Sequence, residues 1–395
     1  MEDRRRYRGM DEHLENINRE YISFPKSVVR RNNRILSEVL NPLICRMRQT
    51  DQLFDQLYKK NFYGGSYYDG LKVGSPDEYD IDLLLKFPPT CGIEIRIGEI
   101  PGFVNMYMHN NTGFEKLCST DDKWKSFLDT RKVLEWMEGI VQKGLNYFRP
   151  DNNSWCTFGS EESLYVKKFR KSGPAFTLII IGELDGEEVK MDVDIVTCFE
   201  FGQDKWPKDG FKVYSDKYGF NLSEFFVVPK KPKGTPENDT KYWRLSFQIQ
   251  ERDFINNKGH LKPALRLLKK MRDTMQHKQV SSYYLKTVVL WKVLDCDSSF
   301  FSDNSLSYVF MHILKQYQAC LSREEILYFW NDNYNFLDLV SGDVANMSNR
   351  IRRIINDIEG NMPDNPEVIV KYILTPDERK TLYPEPNPEP RITYE

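Results

Sequence analysis

Apolar residues recur at helical spacing close to the start of the chain. A spacing of four residues keeps such positions on one face of an α-helix. Asn41 and Pro42 interrupt the stripe, and they predict either a kink or a second helix that starts with an asparagine cap and an initial proline. Residues 1–60 are therefore predicted to be helical. The stripe consists of Ile35, Val39, Leu43 and Met47.

Between about residues 61 and 246 the pattern changes to short apolar or alternating runs. Glycine or proline interrupts the chain between these runs, as is typical of β-strands joined by turns. One helix, over 124–147, is predicted within this part. The runs are IDLLLKF, FTLIIIG, VKMDVDIVTCFEF and FFVVP.

Helical spacing returns from about residue 253. Leu261, Leu265, Leu268 and Met275 fall on one face, and the lysines and arginines of this segment lie opposite them. The sequence from Ser322 to Glu325 has the pattern of a helix-starting capping box, which predicts a helix over the following ILYFW. Residues 346–358 form another amphipathic run. The proline-rich tail from Tyr383 to Glu395 is expected to be extended.

This order of elements predicts an α/β chain of the α+β type. A mixed β-sheet core would be combined with a long N-terminal helix and a helical C-terminal lobe. A chain of 395 residues is long enough for two lobes. The predicted divisions are an N-terminal helical spine (1–60), the sheet-bearing core (61–246), the helical lobe (247–375) and the proline-rich tail (376–395).

The composition is that of a folded, water-soluble protein. Hydrophobic residues make up 40% of the chain and aromatic residues 13%, with a net charge of −2. No apolar run approaches the length of a membrane span. The segment MEDRRRYRG is charged and lacks the apolar core of a secretion signal, so we expect a cytoplasmic protein, with the nucleus as the alternative. The seven cysteines lie far apart without a CxxC pair, and we expect reduced thiols.

Acidic residues stand in two otherwise apolar strands. Side chains alternate between the faces of a strand, so Glu78, Asp80 and Asp82 share one face of the first, and Asp192 and Asp194 share one face of the second. Side by side, these strands would form a carboxylate cluster. Like charges held that close repel one another unless cations with a preference for oxygen, such as Mg²⁺ or Mn²⁺, lie between them. The alternative is an edge strand whose acids are simply solvated.

A glycine-rich turn precedes the first acidic strand. Gly64, Gly65 and Ser66 follow the aromatic segment NFY and lie about a dozen residues before the acids. Glycine lets the backbone approach a phosphate closely, and free amides with a serine hydroxyl donate to its oxygens. A phosphate cradle next to a two-metal site indicates nucleotidyl transfer, in which one cation activates a hydroxyl and the other stabilises the leaving pyrophosphate.

These motifs resemble those of the cyclic GMP-AMP synthase-like receptors, within the Mab-21-type nucleotidyltransferase family. The segment GGSYYDGLKVGSPDEYD resembles the glycine-serine motif and first two metal acids of that family, and MDVDIVT resembles the strand with the third acid. The resemblance implies a two-lobed nucleotidyltransferase fold. It also implies two Mg²⁺ or Mn²⁺ ions held by the catalytic acids Glu78, Asp80 and Asp194, and leaves Asp82 and Asp192 outside the ligand set.

Other segments extend the resemblance over most of the chain. KKFRKSGPAFTLII is similar to the activation-loop region, and KYWRLSF, ALRLLKKMRD and VSSYYLKT are similar to segments that line the nucleotide pocket. By this resemblance, Lys269 and Ser282 would contact phosphates, Tyr283 would stack on a base and Arg244 would approach the second base. The implied nucleotide-binding residues are Gly65, Ser66, Glu78, Asp80, Arg244, Ser246, Lys269, Ser282 and Tyr283. Considered singly, Tyr283 could be a core residue, and Arg244 and Lys269 could be ordinary surface cations.

This sequence differs in one respect from the vertebrate DNA-sensing member of the family, and the difference bears on which nucleic acid activates the protein. That relative carries an inserted histidine-cysteine zinc loop, whereas here NNKGHLKPAL passes directly into a helix and His260 has no cysteine partner. We therefore expect no structural zinc. The resemblance to members without the loop favours double-stranded RNA, although a run of basic residues can also be a solvated face. The predicted RNA contacts are Lys26, Arg30, Arg31, Arg34, Lys167, Lys168, Arg170 and Lys171.

The resemblance implies an enzyme of innate antiviral signalling that is activated by nucleic acid. ATP and GTP would be joined into a cyclic dinucleotide, cyclic GMP-AMP, and a cyclic-dinucleotide receptor of the STING type would act downstream. One alternative is a template-independent polymerase that makes linear oligonucleotides. Another is a non-catalytic member of the fold that binds nucleic acid or a partner protein.

Overall fold

The apolar stripe near the N-terminus forms one uninterrupted helix in the computed structural model of the protein. This helix, α2, spans Lys26–Thr50 and contains Pro42 in its interior. All four residues of the stripe are fully buried. The predicted restart at Pro42 is wrong, because a proline inside a helix costs about 3 kcal/mol, and burial of apolar side chains on both sides of it, at about 1.5–3 kcal/mol each, exceeds that cost.

The structure describes residues 4–123, 125–149, 156–158, 164–184, 186–207, 209–212, 214, 224–297 and 299–384. The α-helices of the described residues are α1 (Asp11–Ile17), α2 (Lys26–Thr50), α3 (Gln52–Leu57), α4 (Gly65–Tyr68), α5 (Thr130–Asn146), α6 (Gln248–Ile255), α7 (Leu261–Thr274), α8 (Ser282–Asp295), α9 (Phe300–Asp303), α10 (Leu306–Arg323), α11 (Val344–Asn361), α12 (Val370–Ile373) and α13 (Pro376–Leu382).

The strands of the described residues are β1 (Tyr58–Gly64), β2 (Glu78–Leu85), β3 (Ile93–Ile97), β4 (Phe103–Met108), β5 (Cys118–Thr120), β6 (Ser126–Leu128), β7 (Cys156–Phe158), β8 (Leu164–Ser172), β9 (Ala175–Leu184), β10 (Glu187–Gly202), β11 (Glu224–Val228), β12 (Tyr242–Ser246), β13 (Leu327–Tyr328) and β14 (Asn331–Asn335).

Strands β1 to β12 join in one mixed sheet. Its main path runs β5-β6-β4-β12-β11-β10-β9-β8-β7, with β3 paired to β4 and with β2 paired to both β1 and β10. Neighbouring strands are antiparallel except β2 and β10, which run parallel. The long strand β10 therefore pairs with β2, β9 and β11 along its length. The predicted α/β class with a mixed sheet is confirmed.

The chain divides into two compact units. The sheet unit comprises Phe24–Asn256 and Leu327–Tyr334, and the helical unit comprises Met1–Ser23, Asn257–Ile326 and Asn335–Glu395. In the sheet unit, α2 packs on α5, where Gly144 lies against Leu43 and Met47 and leaves room for both side chains. In the helical unit, α10 packs against α7, α8 and α11. None of the helices in the described ranges is long and apolar enough to cross a bilayer.

Two predicted helix starts are wrong. The helix predicted from Trp124, a residue outside the described ranges, begins at Thr130, because the Asp129 carboxylate caps the amides of Arg131 and Lys132 at 2.9 and 3.1 Å. The capping-box pattern at Ser322 lies in the last turn of α10. This helix ends at Arg323, and the next residue, Glu324, has a left-handed conformation with φ of 57°.

The segment after α10 is a strand rather than the predicted helix. Asn335 stabilises this turn, since its side chain accepts from the Ile326 amide at 3.0 Å and donates to the Glu324 carbonyl at 2.9 Å. The predicted amphipathic helix over 346–358 is confirmed within α11. Most of the tail predicted to be extended, residues 385–395, lies outside the described residues.

Candidate active site

The two acidic strands are direct neighbours. Strands β2 and β10 pair in parallel, with Asp194 opposite Asp80 and Asp192 opposite Glu78. Residues opposite one another in neighbouring strands project their side chains to the same face of the sheet. The pairing therefore places the three predicted metal acids on one face of two adjacent strands.

Asp80 lies at the centre of this arrangement and against the glycine-rich turn. Gly65 has φ of +71°, and a Cβ at this position would overlap the Asp80 carboxylate. Burial raises the pKa of Asp80 to about 6, and the neighbouring charges of Asp194 and Glu78 add to the shift. Glycine at position 65 therefore serves both the left-handed backbone and the close approach of a carboxylate.

Asp194 is oriented by the next strand. The Thr177 hydroxyl donates to Asp194 Oδ1 at 2.5 Å, and the two residues lie opposite each other across β9 and β10. Thr177 is only 1% exposed. A β-branched side chain in a buried strand has few alternative rotamers. The hydroxyl therefore holds the Asp194 carboxylate in one orientation.

Glu78 is the outermost of the three acids, and its side chain is 74% exposed. Its carboxylate lies 2.5 Å from the Lys72 ammonium, which is also 3.6 Å from Asp77. Within the described ranges, no three or more histidine, cysteine, aspartate or glutamate side chains are gathered closely enough to hold a metal ion. The structure brings Asp80 and Asp194 together and leaves Glu78 paired with a lysine.

The donor set nevertheless suits a divalent cation. Asp80, Asp194 and Glu78 offer only carboxylate oxygens, the ligands that Mg²⁺ and Mn²⁺ prefer. Asp80 and Asp194 repel each other, which a cation between them would relieve. An exposed Glu78 side chain can exchange Lys72 for a cation by rotating about its own bonds. The ligand set predicted from the sequence stays a prediction.

Gln248 is the residue of this site that sequence reasoning missed. Its side-chain amide donates to Asp82 Oδ2 at 2.7 Å and to the Ser246 hydroxyl at 3.2 Å, and its carbonyl oxygen accepts from the Gly65 amide at 3.3 Å. The side chain also lies where a Cβ of Gly64 would be. Gln248 therefore connects the glycine turn, the acidic strand and the end of β12.

Asp82 is the buried partner of Gln248. It is 2% exposed, and burial raises its pKa to about 7. It lies two residues beyond Asp80 on the same strand face, as the alternation predicts. The sequence contained one signal for Gln248, its position directly after the KYWRLSF segment.

Helix α6 is also tied to the glycine turn through Arg252. Its guanidinium donates to Asp69 at 2.9 Å and to the Tyr63 carbonyl at 2.7 Å, on the two sides of the turn. Asp69 is only 4% exposed. Gln248 and Arg252 are one helical turn apart, so one face of α6 supports the whole segment from Tyr63 to Asp69.

The other predicted nucleotide contacts of the sheet unit lie on two elements. Ser66 is in the short helix α4, directly after Gly65. Arg244 and Ser246 are two residues apart on β12, and both are half-buried. The Arg244 guanidinium lies 5.7 Å from the centre of the Tyr328 ring.

The predicted contacts of the helical unit are placed as follows. Lys269 is 5% exposed on α7. Ser282 begins α8, and its hydroxyl accepts a hydrogen bond from Arg272 at 3.0 Å. The Tyr283 ring packs edge-on against Phe336 at 5.8 Å. His260 Nδ1 lies 2.9 Å from the Asn304 carbonyl oxygen.

The predicted RNA contacts lie on α2 and β8. Lys26, Arg30, Lys167 and Lys168 are exposed. The other four each pair with an acid, and two of these acids lie on β10: Arg31 with Glu187, Arg34 with Glu38, Arg170 with Asp192 and Lys171 with Glu138. These four predicted RNA contacts thus already have a carboxylate partner within the protein.

Comparison with known proteins finds two matching domain families and several similar full-length relatives. Residues 67–257 match the Mab-21 protein nucleotidyltransferase domain, and residues 260–353 match the Mab-21 protein HhH/H2TH-like domain. The chain is 42% identical to a cyclic GMP-AMP synthase-like receptor of Aethina tumida, over 97% of this chain and 96% of the relative. It is 41% identical to one of Tribolium castaneum, over 93% of both chains. A third, of Ctenocephalides felis, is 31% identical over 94% of this chain and 89% of the relative.

Proposed function

This chain belongs to the Mab-21 nucleotidyltransferase family, and from that premise we propose that it makes a cyclic dinucleotide in innate immune signalling. The substrates would be ATP and GTP, the product cyclic GMP-AMP and the activator double-stranded RNA. The observation that carries the proposal is the parallel pairing of β2 and β10, which sets Asp80 opposite Asp194 beside the Gly65 turn. The relatives are cyclic GMP-AMP synthase-like receptors, which supports the choice of product.

Glu78, Asp80 and Asp194 would hold two Mg²⁺ or Mn²⁺ ions. When bound, these ions would lower the pKa of the acceptor hydroxyl and neutralise the leaving pyrophosphate. Asp194, oriented by Thr177, would assist the deprotonation of that hydroxyl. The Gly65 turn, supported by Gln248 and Arg252, would present backbone amides to the triphosphate.

Alanine at Glu78 and Asp80 together tests the catalytic proposal. The double variant should lose turnover with ATP, GTP and Mn²⁺ while keeping its thermal unfolding midpoint and its RNA binding. Asp77→Ala is the matched control, because Asp77 also pairs with Lys72 but precedes the acidic face. Turnover that survives in the double variant would place the chemistry elsewhere.

The identity of the product separates the proposal from its alternatives. Incubation with all four ribonucleotides, followed by phosphatase treatment and mass spectrometry, should leave a phosphatase-resistant cyclic dimer. A ladder of linear chains would indicate a template-independent polymerase. If the protein binds nucleic acid but makes no product with duplex RNA or with duplex DNA, it is a non-catalytic member of the fold.

The proposal that double-stranded RNA is the activator rests on the exposed cations of α2 and β8. Binding through phosphates weakens steeply with rising salt concentration. Lys26→Glu with Arg30→Glu should lower both RNA affinity and the salt slope, whereas Arg131→Glu, at an exposed position on α5, should change neither. Activation by duplex DNA but not by duplex RNA would overturn this part alone. Downstream, a cyclic-dinucleotide receptor of the STING type would bind the product.

A further inference from the structure

The helical unit contains a basic cavity that the proposed reaction does not use. Its volume is about 420 Å³, and its lining comes from the end of α7, from α11 and from α12. This volume lies within the range of pockets that bind small molecules, roughly 300–1,000 Å³. The polar side chains that line it are Thr274, Arg350, Arg353, Asp357, Lys371 and Tyr372.

One face of α11 supplies most of the cavity wall. Arg350, Arg353, Ile354 and Asp357 follow one another at helical spacing, so their side chains lie on the same side of the helix. Arg352 lies between them in sequence, is exposed and does not line the cavity. The helix thus offers both a test position and a matched control one residue apart.

The single acid of the cavity is fully engaged by its neighbours. Asp357 Oδ2 lies 2.8 Å from the Lys371 ammonium and accepts from the Tyr372 hydroxyl at 2.6 Å. Its other oxygen accepts from the Asn361 side chain at 3.1 Å. The carboxylate therefore neutralises Lys371 and is not available to the two arginines.

Neither arginine of the cavity has a counter-ion among the described residues. The Arg350 guanidinium donates to the Met275 carbonyl at 2.8 Å, which fixes its position but brings no negative charge. Across the described ranges of the chain, no carboxylate lies within ion-pair distance of Arg350 or Arg353. With three cations and one acid, the cavity has a surplus of two positive charges.

Buried His277 lies close enough to Arg350 to feel its charge. His277 is 5% exposed, and its Nδ1 has no hydrogen-bond partner among the described residues. Burial, and then the charge of Arg350, lowers the pKa of His277 to about 4. The histidine is therefore neutral at physiological pH and adds no charge of its own.

We propose that this cavity binds a compact polyphosphate through Arg350 and Arg353. Guanidinium groups bind phosphate oxygens in pairs of parallel hydrogen bonds. Two arginines on one helix face, without a carboxylate partner in the described ranges, match a di- or triphosphate. A recess of about 420 Å³ suits a small molecule, whereas a duplex needs an extended surface. The phosphates could belong to a nucleotide or to an inositol phosphate.

Calorimetric titration of the full chain with inorganic tripolyphosphate tests this site. The protein carries Glu78→Ala and Asp80→Ala and the buffer contains EDTA, so that the proposed catalytic site contributes no metal-dependent binding and turnover plays no part. We expect one site per chain. Arg353→Gln should lower the affinity for tripolyphosphate about tenfold or more, because a charge-assisted pair of hydrogen bonds is lost. Arg352→Gln should leave the affinity unchanged.

The other outcomes are equally decisive. Equal affinities in the Arg353→Gln and Arg352→Gln proteins, or no measurable binding, would overturn the proposal. So would an Arg353→Gln protein that binds duplex RNA more weakly but tripolyphosphate normally, since the cavity would then be part of a nucleic-acid surface. Parallel titrations with ATP and inositol hexakisphosphate would show which source of phosphate binds more tightly.

Discussion

The side-chain amide of Gln248 donates a hydrogen bond to the buried carboxylate of Asp82, with Nε2 and Oδ2 2.7 Å apart. The carbonyl oxygen of the same side chain accepts from the Gly65 amide at 3.3 Å. One side chain from the first turn of α6 therefore positions both the acidic strand and the glycine turn. Gln248 would therefore affect the proposed reaction indirectly, by positioning Asp82 and the Gly65 amide.

Gln248→Met should lower both stability and turnover. The substitution keeps the length of the side chain but leaves buried Asp82 without its donor, which should reduce the free energy of unfolding by about 1–3 kcal/mol. Urea denaturation measures this loss. In a double-mutant cycle, Asp82→Leu combined with Gln248→Met should cost less than the sum of the single changes. Strict additivity would mean that the two side chains do not interact.

Gly65→Ala should abolish nucleotidyl transfer. Gly74→Ala is the matched control, since Gly74 has a similar φ of +83° but nothing within 4 Å of an added Cβ. Both changes should cost about 1–2 kcal/mol of stability, because alanine is strained in the left-handed region. Only the Gly65 variant also displaces the Asp80 carboxylate. Equal turnover in the two variants would contradict the proposed role of this contact.

Asn32→Ala should destabilise the attachment of α2 to the acidic strand. The Asn32 side chain donates to the Tyr79 hydroxyl at 2.7 Å and to the Pro76 carbonyl at 3.0 Å, and it is 2% exposed. Removing it should lower the free energy of unfolding by about 1–3 kcal/mol. Asn33→Ala, at the adjacent exposed position, should be neutral or slightly stabilising because alanine favours the helix. Thermal unfolding of the two variants measures the difference.

The helical unit should lose stability in acid because of His277. Burial and the Arg350 charge lower its pKa from 6.5 to about 4. Between these values the unfolded chain binds the proton and the folded chain does not. Stability should therefore fall as the pH drops from about 6.5 to about 4, by up to about 3 kcal/mol.

His277→Gln should remove this part of the pH dependence. Urea denaturation of the variant at several pH values would show a flatter profile than that of the wild-type protein. His109→Gln serves as the control, because the His109 side chain is 68% exposed. An unchanged slope in the His277 variant would show that the histidine is protonated to the same extent in both states.

Sequence reasoning worked best where the hydrophobic period was long or strict. The four-residue stripe predicted α2, and the apolar runs predicted β2, β9, β10 and β11. It failed at Pro42, because burial of the apolar residues on both sides outweighs the local signal of the proline. It also failed at Ser322, because the capping-box pattern there lies inside the last turn of α10. The ion pair between Lys72 and Glu78 was not predicted, because a flexible lysine six residues away in the sequence gives no periodic signal.

The sequence alone determined which acids share a strand face, because side-chain alternation follows from backbone geometry. It also determined that residue 65 is a glycine suited to a left-handed turn. Only the tertiary structure decided that β2 and β10 are parallel neighbours with Asp80 opposite Asp194. It also decided that Gln248 reaches Asp82 across 166 residues. Such long-range pairing depends on how the whole sheet packs, and no local pattern encodes it.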